Sequence, residues 1–180
     1  MKHIVLKFGL ISGALMSLMM LMTVPFMDRI GFDYGMLIGY TTMTIAFLLV
    51  YFGVRSYRDK VIGGTIGFGR AFLVGILIAT VSSMCYVATW QVVYFNFTPN
   101  FMDNFKAHAL DKARRDGASE EVIAAQSAEI DKFAVQYDNP LFNAAVTFLE
   151  PLPVALIVAL GSAGVLSRRR KVIVDARHGT

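Results

Sequence analysis

The 180-residue chain is 56% hydrophobic and 17% charged, with a mean hydropathy of +0.56. These apolar residues lie in long blocks, so the composition excludes a soluble globular fold and indicates that a bilayer is the solvent for much of the chain. The single cysteine, Cys85, excludes an intramolecular disulfide, and three scattered histidines exclude a histidine metal cluster at the usual spacings.

Four apolar runs are each long enough to cross a hydrocarbon core of about 30 Å as a helix, which takes about 20 residues. They cover residues 8–27, 36–54, 71–97 and 141–166. The first run follows Lys2 and Lys7, as in a signal peptide, but it is long and lacks a small-residue cleavage site, so we expect a retained helix. The sequence predicts an all-α integral membrane protein with a single four-helix membrane domain.

The basic residues predict the orientation of these helices. Eleven of the seventeen Lys and Arg residues lie in three segments: the N-terminus, the turn between runs two and three, and the tail 167–180. The acidic residues in the same segments are Asp59 and Asp175. Positive charge is retained on the cytoplasmic side, so we expect a multi-pass membrane protein with both termini in the cytoplasm. The net charge of +4 then divides into about +9 inside (eleven basic, two acidic) and −5 outside (six basic, eleven acidic).

The segment 98–140 between runs three and four is the one sizeable polar stretch. Phe101 and Phe105 begin a helical stripe, Gly117 interrupts it, and Ser119 is placed to cap a second helix that has glutamates in its first turn. These signals predict an extracytoplasmic helical hairpin. Its acids alternate with Lys and Arg, as on a solvated surface, and no nucleophile, metal or paired-carboxylate motif accompanies them, so we expect no enzyme activity.

Glycines mark two further features. Residues 63–69 lack the Gly-Lys-Ser/Thr and the preceding strand of a phosphate loop, so they predict an elbow between helices, with Arg70 reaching lipid phosphates. Small residues spaced by four favour close helix packing. The candidate packing glycines are Gly9, Gly13, Gly35, Gly39 and Gly75. Their partners lie in the same chain or in a second copy, so a homo-oligomer or a subunit of a membrane assembly is expected.

Glu150 is the leading candidate for a functional residue. A carboxyl at the centre of a bilayer costs about 2 to 3 kcal/mol or more, and Pro151 and Pro153 remove backbone donors beside it. Two interpretations remain open: a proton or cation site, or an interfacial glutamate at a proline kink. Tyr86 shares a polar face with Ser82 in run three, which favours interhelical hydrogen bonds over a polar transport path.

Two groups of side chains have less specific patterns. Five methionines in the first run offer thioethers to Cu(I), but no His or Cys cluster accompanies them, so we interpret them as ordinary apolar residues and predict neither a metal nor a cofactor. The basic tail favours contact with anionic lipid over nucleic acid. Its candidate lipid-contact residues are Arg168, Arg169, Arg170 and Lys171.

Three segments carry a family resemblance: 8–13 (FGLISG), 57–72 with its YRDK and GGTIGFGRAF motifs, and 86–90 (YVATW). They resemble a bacterial family of small four-helix inner-membrane proteins catalogued as a domain of unknown function. The resemblance supports the membrane topology, and the family has no established activity or catalytic residues to transfer. We therefore expect a structural or accessory protein that acts through helix packing and its hairpin. The alternative is an oligomeric transporter of a small solute or ion that encloses Glu150 and Arg70.

Overall fold

The computed structural model describes residues 1–167, which form helices joined by short turns, with no strand among them. In chain order the helices are α1 (Lys2–Thr23), α2 (Met27–Ile30), α3 (Phe32–Val61), α4 (Phe68–Phe97), α5 (Phe101–Arg115), α6 (Glu120–Tyr137), α7 (Pro140–Leu149) and α8 (Leu152–Leu166). A 3-10 turn, Val24–Phe26, contains Pro25 and connects α1 to α2. The four basic residues proposed for lipid contact, 168–171, lie outside the described residues.

Four helical segments are long and apolar enough to cross a membrane, which confirms the predicted four-helix membrane fold. They are Lys2–Phe26, Phe32–Val61, Phe68–Phe97 and Pro140–Leu166. Three contain a predicted apolar run in full, the first ends one residue before its run does, and three begin or end beyond the run by several residues. Helix α3, for example, continues past Val54 to Val61, because Arg58 and Lys60 in its last turn interact favourably with the negative end of the helix dipole.

The bundle is arranged around α3 and α4, which pack against each other, against α1 on one side and against α8 on the other. The side chains between them are apolar and lack accessible surface, as at Val50, Val54, Val74 and Ile78. Burial of each such side chain away from water or lipid gives close dispersion contacts, which hold transmembrane helices together in place of the hydrophobic effect.

The candidate packing glycines have different surroundings. A Cβ added at Gly9 would lie 2.7 Å from Val81 Cβ, and one at Gly13 would lie 2.6 Å from Cys85 Cβ, so both glycines let α1 approach α4 closely. A Cβ at Gly75 would meet Ala159 of α8 at 3.3 Å. Gly35 faces the Met27 side chain, whereas a Cβ at Gly39 would have nothing within 4 Å. Three of the five are therefore used for packing between helices of one chain.

The predicted hairpin is present as α5 and α6, which pack against each other at the end of the bundle where α4 ends and α7 begins. We call this the hairpin end. Gly117 makes the turn with a φ of 80°, and the Ser119 hydroxyl accepts a hydrogen bond from the Val122 amide at 3.4 Å. The hairpin docks through aromatic side chains, with the Phe101 ring 5.0 Å from Trp90 between centroids.

Candidate functional site

The fourth span is interrupted at Glu150. α7 ends at Leu149 and α8 begins at Leu152, with Glu150 and Pro151 in a turn between them. Pro151 and Pro153 have no N–H to donate to the carbonyls four residues earlier, so the helical hydrogen-bond ladder cannot run through this point. The sequence predicted a proline kink here, and the break sets the Glu150 side chain at the junction of two helices.

Glu150 and Tyr86 meet across the bundle. The Tyr86 hydroxyl donates a hydrogen bond of 3.0 Å to Glu150 Oε2, joining α4 to the break between α7 and α8. A hydrogen bond to a carboxylate is stronger than one between neutral groups, and it offsets part of the cost of holding a carboxyl away from water. The two residues singled out from the sequence as functional candidates in different spans thus form one pair.

The register along α4 gives the depth that this pair would have in a bilayer. At about 1.5 Å per residue, Tyr86 lies about 27 Å from Phe68 and about 17 Å from Phe97, while the whole helix is about 45 Å long. If α4 is centred on a hydrocarbon layer of about 30 Å, Tyr86 lies about 10 Å inside its boundary on the hairpin side. This depth favours an intramembrane Glu150 over an interfacial one.

Glu150 and Tyr86 belong to the wall of a cavity of about 320 Å³ in the hairpin half of the bundle. We call it the methionine cavity because six methionines line it. They are Met16, Met19, Met20, Met27, Met36 and Met43. Of these, Met36 is 54% exposed, and Glu150 is exposed as well. The cavity therefore opens to the surface beside these two residues. α3 packs extensively against α8, which begins just after the break at Glu150.

Aromatic side chains complete the wall, and the hairpin contributes to it. Phe101, Phe105 and His108 of α5 line the cavity together with Phe32 of α3. The His108 ring stacks on Phe32 with centroids 5.3 Å apart, and its Nε2 lies 3.2 Å from Asp33 Oδ1. The hairpin therefore forms one wall of the cavity and is held to α3 by these contacts.

A second polar group, which begins in the cavity wall, ties the hairpin to the spans. Trp90 Nε1 donates to the Tyr137 hydroxyl at 2.9 Å, and that hydroxyl lies 3.3 Å from Thr147 Oγ1. Gln91 Nε2 donates to Asn143 Oδ1 at 2.8 Å. Burial raises the pKa of the Tyr137 phenol above its ordinary value of 10, so this residue stays neutral in the folded protein at physiological pH. These bonds hold α4, α6 and α7 in place around the cavity.

The remaining candidates lie elsewhere. Arg70 begins α4, about 24 Å along the helix from Tyr86, and its guanidinium carbon lies 5.8 Å from the centroid of the Tyr57 ring. It is exposed at the end of the bundle opposite the hairpin and does not share a site with Glu150. The hydroxyl of Ser82 donates to the Gly9 carbonyl at 3.1 Å, an interhelical bond between α4 and α1.

The sequence did not predict the cavity. Met36 and Gly39 lie three residues apart on one face of α3, and this spacing suits a packed face as well as a cavity wall. His108 joins the cavity wall only because the hairpin folds back onto the spans. The signal that the sequence offers is its single tryptophan, Trp90, which lies in the cavity wall. Its indole N–H needs a partner when buried, and that partner is Tyr137.

The fold and site define a helical protein with four candidate membrane spans and an apolar cavity that contains one carboxyl group. No curated protein and no solved structure matches the chain significantly. A family model described as a protein of unknown function (DUF4199) matches residues 7–168, and the chain belongs to this family.

Proposed function

We propose that the protein binds a small, largely apolar molecule within the membrane, in the methionine cavity, with the Glu150 carboxyl as the polar anchor. The observation that carries this proposal is the Glu150–Tyr86 pair on the wall of a cavity otherwise made mostly of methionine and aromatic side chains. Apolar cavities of about 300 to 1,000 Å³ with a few convergent polar groups are the usual form of small-molecule sites. The proposal assigns binding to this site and no catalytic step.

The size of the cavity limits its occupant. A volume of about 320 Å³ corresponds to about ten groups the size of a water molecule, each of which takes about 30 Å³ in the liquid. A single aromatic ring with a short substituent fits that volume, and a two-chain phospholipid does not. The cavity lies within one chain, so a transporter that used this site would not need an oligomer to enclose it.

The proposal is tested by filling the cavity. Gly39 lines it, and a Cβ there meets nothing within 4 Å, so Gly39→Leu places four carbon atoms, about a third of the volume, in open space. Gly161 in α8 is the matched control, because its Cβ is equally free and it does not line the cavity. The probes are benzyltrimethylammonium and its neutral shape analogue 2,2-dimethylpropylbenzene, with Trp90 emission and calorimetry in detergent as readouts.

We expect at least one of the two probes to saturate the wild-type protein, Gly39→Leu to weaken that binding at least tenfold, and Gly161→Leu to leave it unchanged. Equal affinities in all three proteins would show that the probe partitions into the micelle and would contradict the proposal. Trp90 is the single tryptophan of the chain and lines the cavity, so a change in its emission reports on this site.

A second candidate function is an accessory role through the hairpin. It is supported by the hairpin at the end of the bundle, where Val122 and Val135 of α6 are 54% and 76% exposed. Apolar residues exposed in this way suit contact with a second copy or a partner protein. Light scattering in mild detergent tests self-association: Val135→Asp is expected to convert an oligomer into a monomer, and a strictly monomeric wild-type protein removes the homo-oligomer from consideration.

We also propose that the end of the bundle opposite the hairpin faces the cytoplasm of a bacterium. Lys2, Arg55 and Arg70 are at this end, with other basic residues of α1 and α3, and positive charge favours the cytoplasmic side. Cysteine substitutions at exposed positions near each end, in a Cys85→Ala background, report the orientation through a membrane-impermeant thiol reagent. Labelling of residue 2 from outside intact cells would reverse it.

A further inference from the structure

We infer that the molecule held in the methionine cavity carries a positive charge, so that the site recognises a small hydrophobic ammonium compound. This inference rests on the proposed binding function and names the chemical class of its ligand. It comes from which charged groups the cavity contains and which it lacks.

The charge around the cavity is of one sign. Glu150 is the one carboxyl among the described lining residues, and none of those residues is Lys or Arg. The other titratable groups in the wall are His108, Tyr86 and Tyr137. His108 Nε2 lies 3.2 Å from Asp33 Oδ1, so this ring is already engaged by a carboxyl other than Glu150. Within residues 1–167, no Lys or Arg side chain lines the cavity to neutralise Glu150.

Tyr86 is the one described partner of the carboxyl, and it is a neutral donor. A carboxylate at membrane depth with one neutral hydrogen bond remains short of a counter-charge. Charged groups in this position are commonly paired with another charge, and the described residues do not supply one. A cationic ligand does, and it gains more from the carboxylate in this apolar surrounding than it would in water.

The rest of the wall suits the apolar body and the cationic head of such a ligand. Six aromatic residues line the cavity: Phe32, Tyr86, Trp90, Phe101, Phe105 and Tyr137. Aromatic rings attract quaternary ammonium groups through the negative charge on their faces, and methionine thioethers adapt their shape to irregular apolar surfaces. The indole N–H of Trp90 and the hydroxyl of Tyr86 are already used in hydrogen bonds, so the ligand meets mainly apolar surface and one carboxyl.

An anion has no partner here, because the cavity offers it no cationic side chain and places a carboxyl beside it. A neutral molecule of the same shape gains the apolar contacts alone. The three classes of ligand therefore differ in expected affinity, with the cation first, the neutral molecule second and the anion last. The order of the three affinities can be wrong even if the cavity binds a small molecule, so the two claims are tested separately.

The test compares three probes of one shape and size: benzyltrimethylammonium, 2,2-dimethylpropylbenzene and phenylmethanesulfonate. We expect the cation to bind the wild-type protein at least tenfold more tightly than the neutral probe, and Glu150→Gln to abolish this preference while retaining the neutral probe. Tyr86→Phe keeps the carboxyl and removes only its hydroxyl donor, so it should keep the preference for the cation. Glu150→Met, which also removes the charge, serves as the test if Glu150→Gln does not fold.

The possible outcomes distinguish a failure of the charge preference from a failure of the proposed binding function. Equal binding of the cation and the neutral probe, both sensitive to Gly39→Leu, would overturn the charge preference and leave the binding function standing. Tighter binding of the sulfonate would overturn the charge preference too. A loss of cation preference in Tyr86→Phe, which keeps the carboxyl, would overturn the assignment of that preference to the Glu150 charge. Failure of all three probes to bind would overturn both ideas.

Discussion

The close approach of α1 to α4 at Gly13 makes a quantitative prediction. A methyl group added in Gly13→Ala would lie 2.6 Å from Cys85 Cβ, 2.9 Å from its Sγ and 3.2 Å from the Ser82 carbonyl oxygen. Real Cβ contacts are essentially never shorter than 3.0 Å, so α1 must shift away from α4. Overpacking of this kind costs about 1 to 3 kcal/mol, and we expect Gly13→Ala to lower the free energy of unfolding by that amount.

The control is Gly161→Ala in α8, an exposed helical position where a Cβ meets nothing within 4 Å. Alanine forms helices better than glycine by about 1 kcal/mol, so this substitution is expected to leave the protein unchanged or more stable. The same chemical change thus has opposite effects at two glycines, and the difference comes from what each Cβ meets.

A double-mutant cycle identifies the contact. Cys85→Gly removes both atoms that the new methyl would strike, at a cost of about 1 kcal/mol for a glycine in a helix plus the lost contacts of the thiol. In the double variant the alanine methyl occupies the vacated space, so we expect it to be more stable than the sum of the single changes by at least about 1 kcal/mol. The rescue is incomplete because the Ser82 carbonyl remains.

The assay is unfolding in mixed micelles of dodecyl maltoside and dodecyl sulfate, followed by Trp90 emission and helical circular dichroism. Two results would refute the reasoning: a Gly13→Ala protein as stable as Gly161→Ala, or single changes that add within about 0.3 kcal/mol in the double variant. Either would show that α1 and α4 do not meet closely at this position.

Three further predictions use the same unfolding assay. Tyr137→Phe leaves the buried Trp90 N–H without its acceptor and should cost about 1 to 3 kcal/mol, whereas an unchanged stability would contradict this hydrogen bond. Ser12→Ala removes a 2.8 Å hydrogen bond to the Ala46 carbonyl between α1 and α3 and should cost about 0.6 kcal/mol, while Thr44→Ala, whose hydroxyl bonds its own helix, should cost less. Because burial raises the pKa of Tyr137, the folded state holds this proton more tightly than the unfolded state. The stability it contributes is fully present below about pH 10 and falls as the pH rises further, and a titration of Tyr137→Phe should show a shallower decline.

Features of the fold that depend on residues close together in the chain were predictable from the sequence. The four spans follow from the lengths of apolar runs, since a helix must satisfy its backbone within the bilayer. The hairpin follows from local signals, because Gly117 allows a positive φ and Ser119 caps the next helix with its own hydroxyl. The continuation of α3 to Val61 was missed because its charged last turn ends the apolar run before it ends the helix.

The candidate site was predictable only in part. Glu150 was identified by the cost of a carboxyl in an apolar span, and Tyr86 by its place on a polar helix face. Their pairing joins residues 64 positions apart and depends on how α4 lies against the break in the fourth span. Arg70, proposed as a companion of Glu150 in a transporter, lies at the other end of the bundle, because it is in the first turn of α4 and Tyr86, the partner of Glu150, lies about 24 Å further along that helix.

The amino-acid sequence by itself determined that the chain is helical, that four segments can cross a membrane, and that Glu150 is out of place among apolar residues, because these properties depend on composition and on residues close in the chain. The tertiary structure decided which glycines are packed and which face open space. Gly13 and Gly39 both stand at the four-residue spacing typical of close helix contacts, yet one meets Cys85 and the other lines a cavity. The reason is that close packing and empty space are properties of the surface between helices, and the pattern of a single helix does not contain its neighbour.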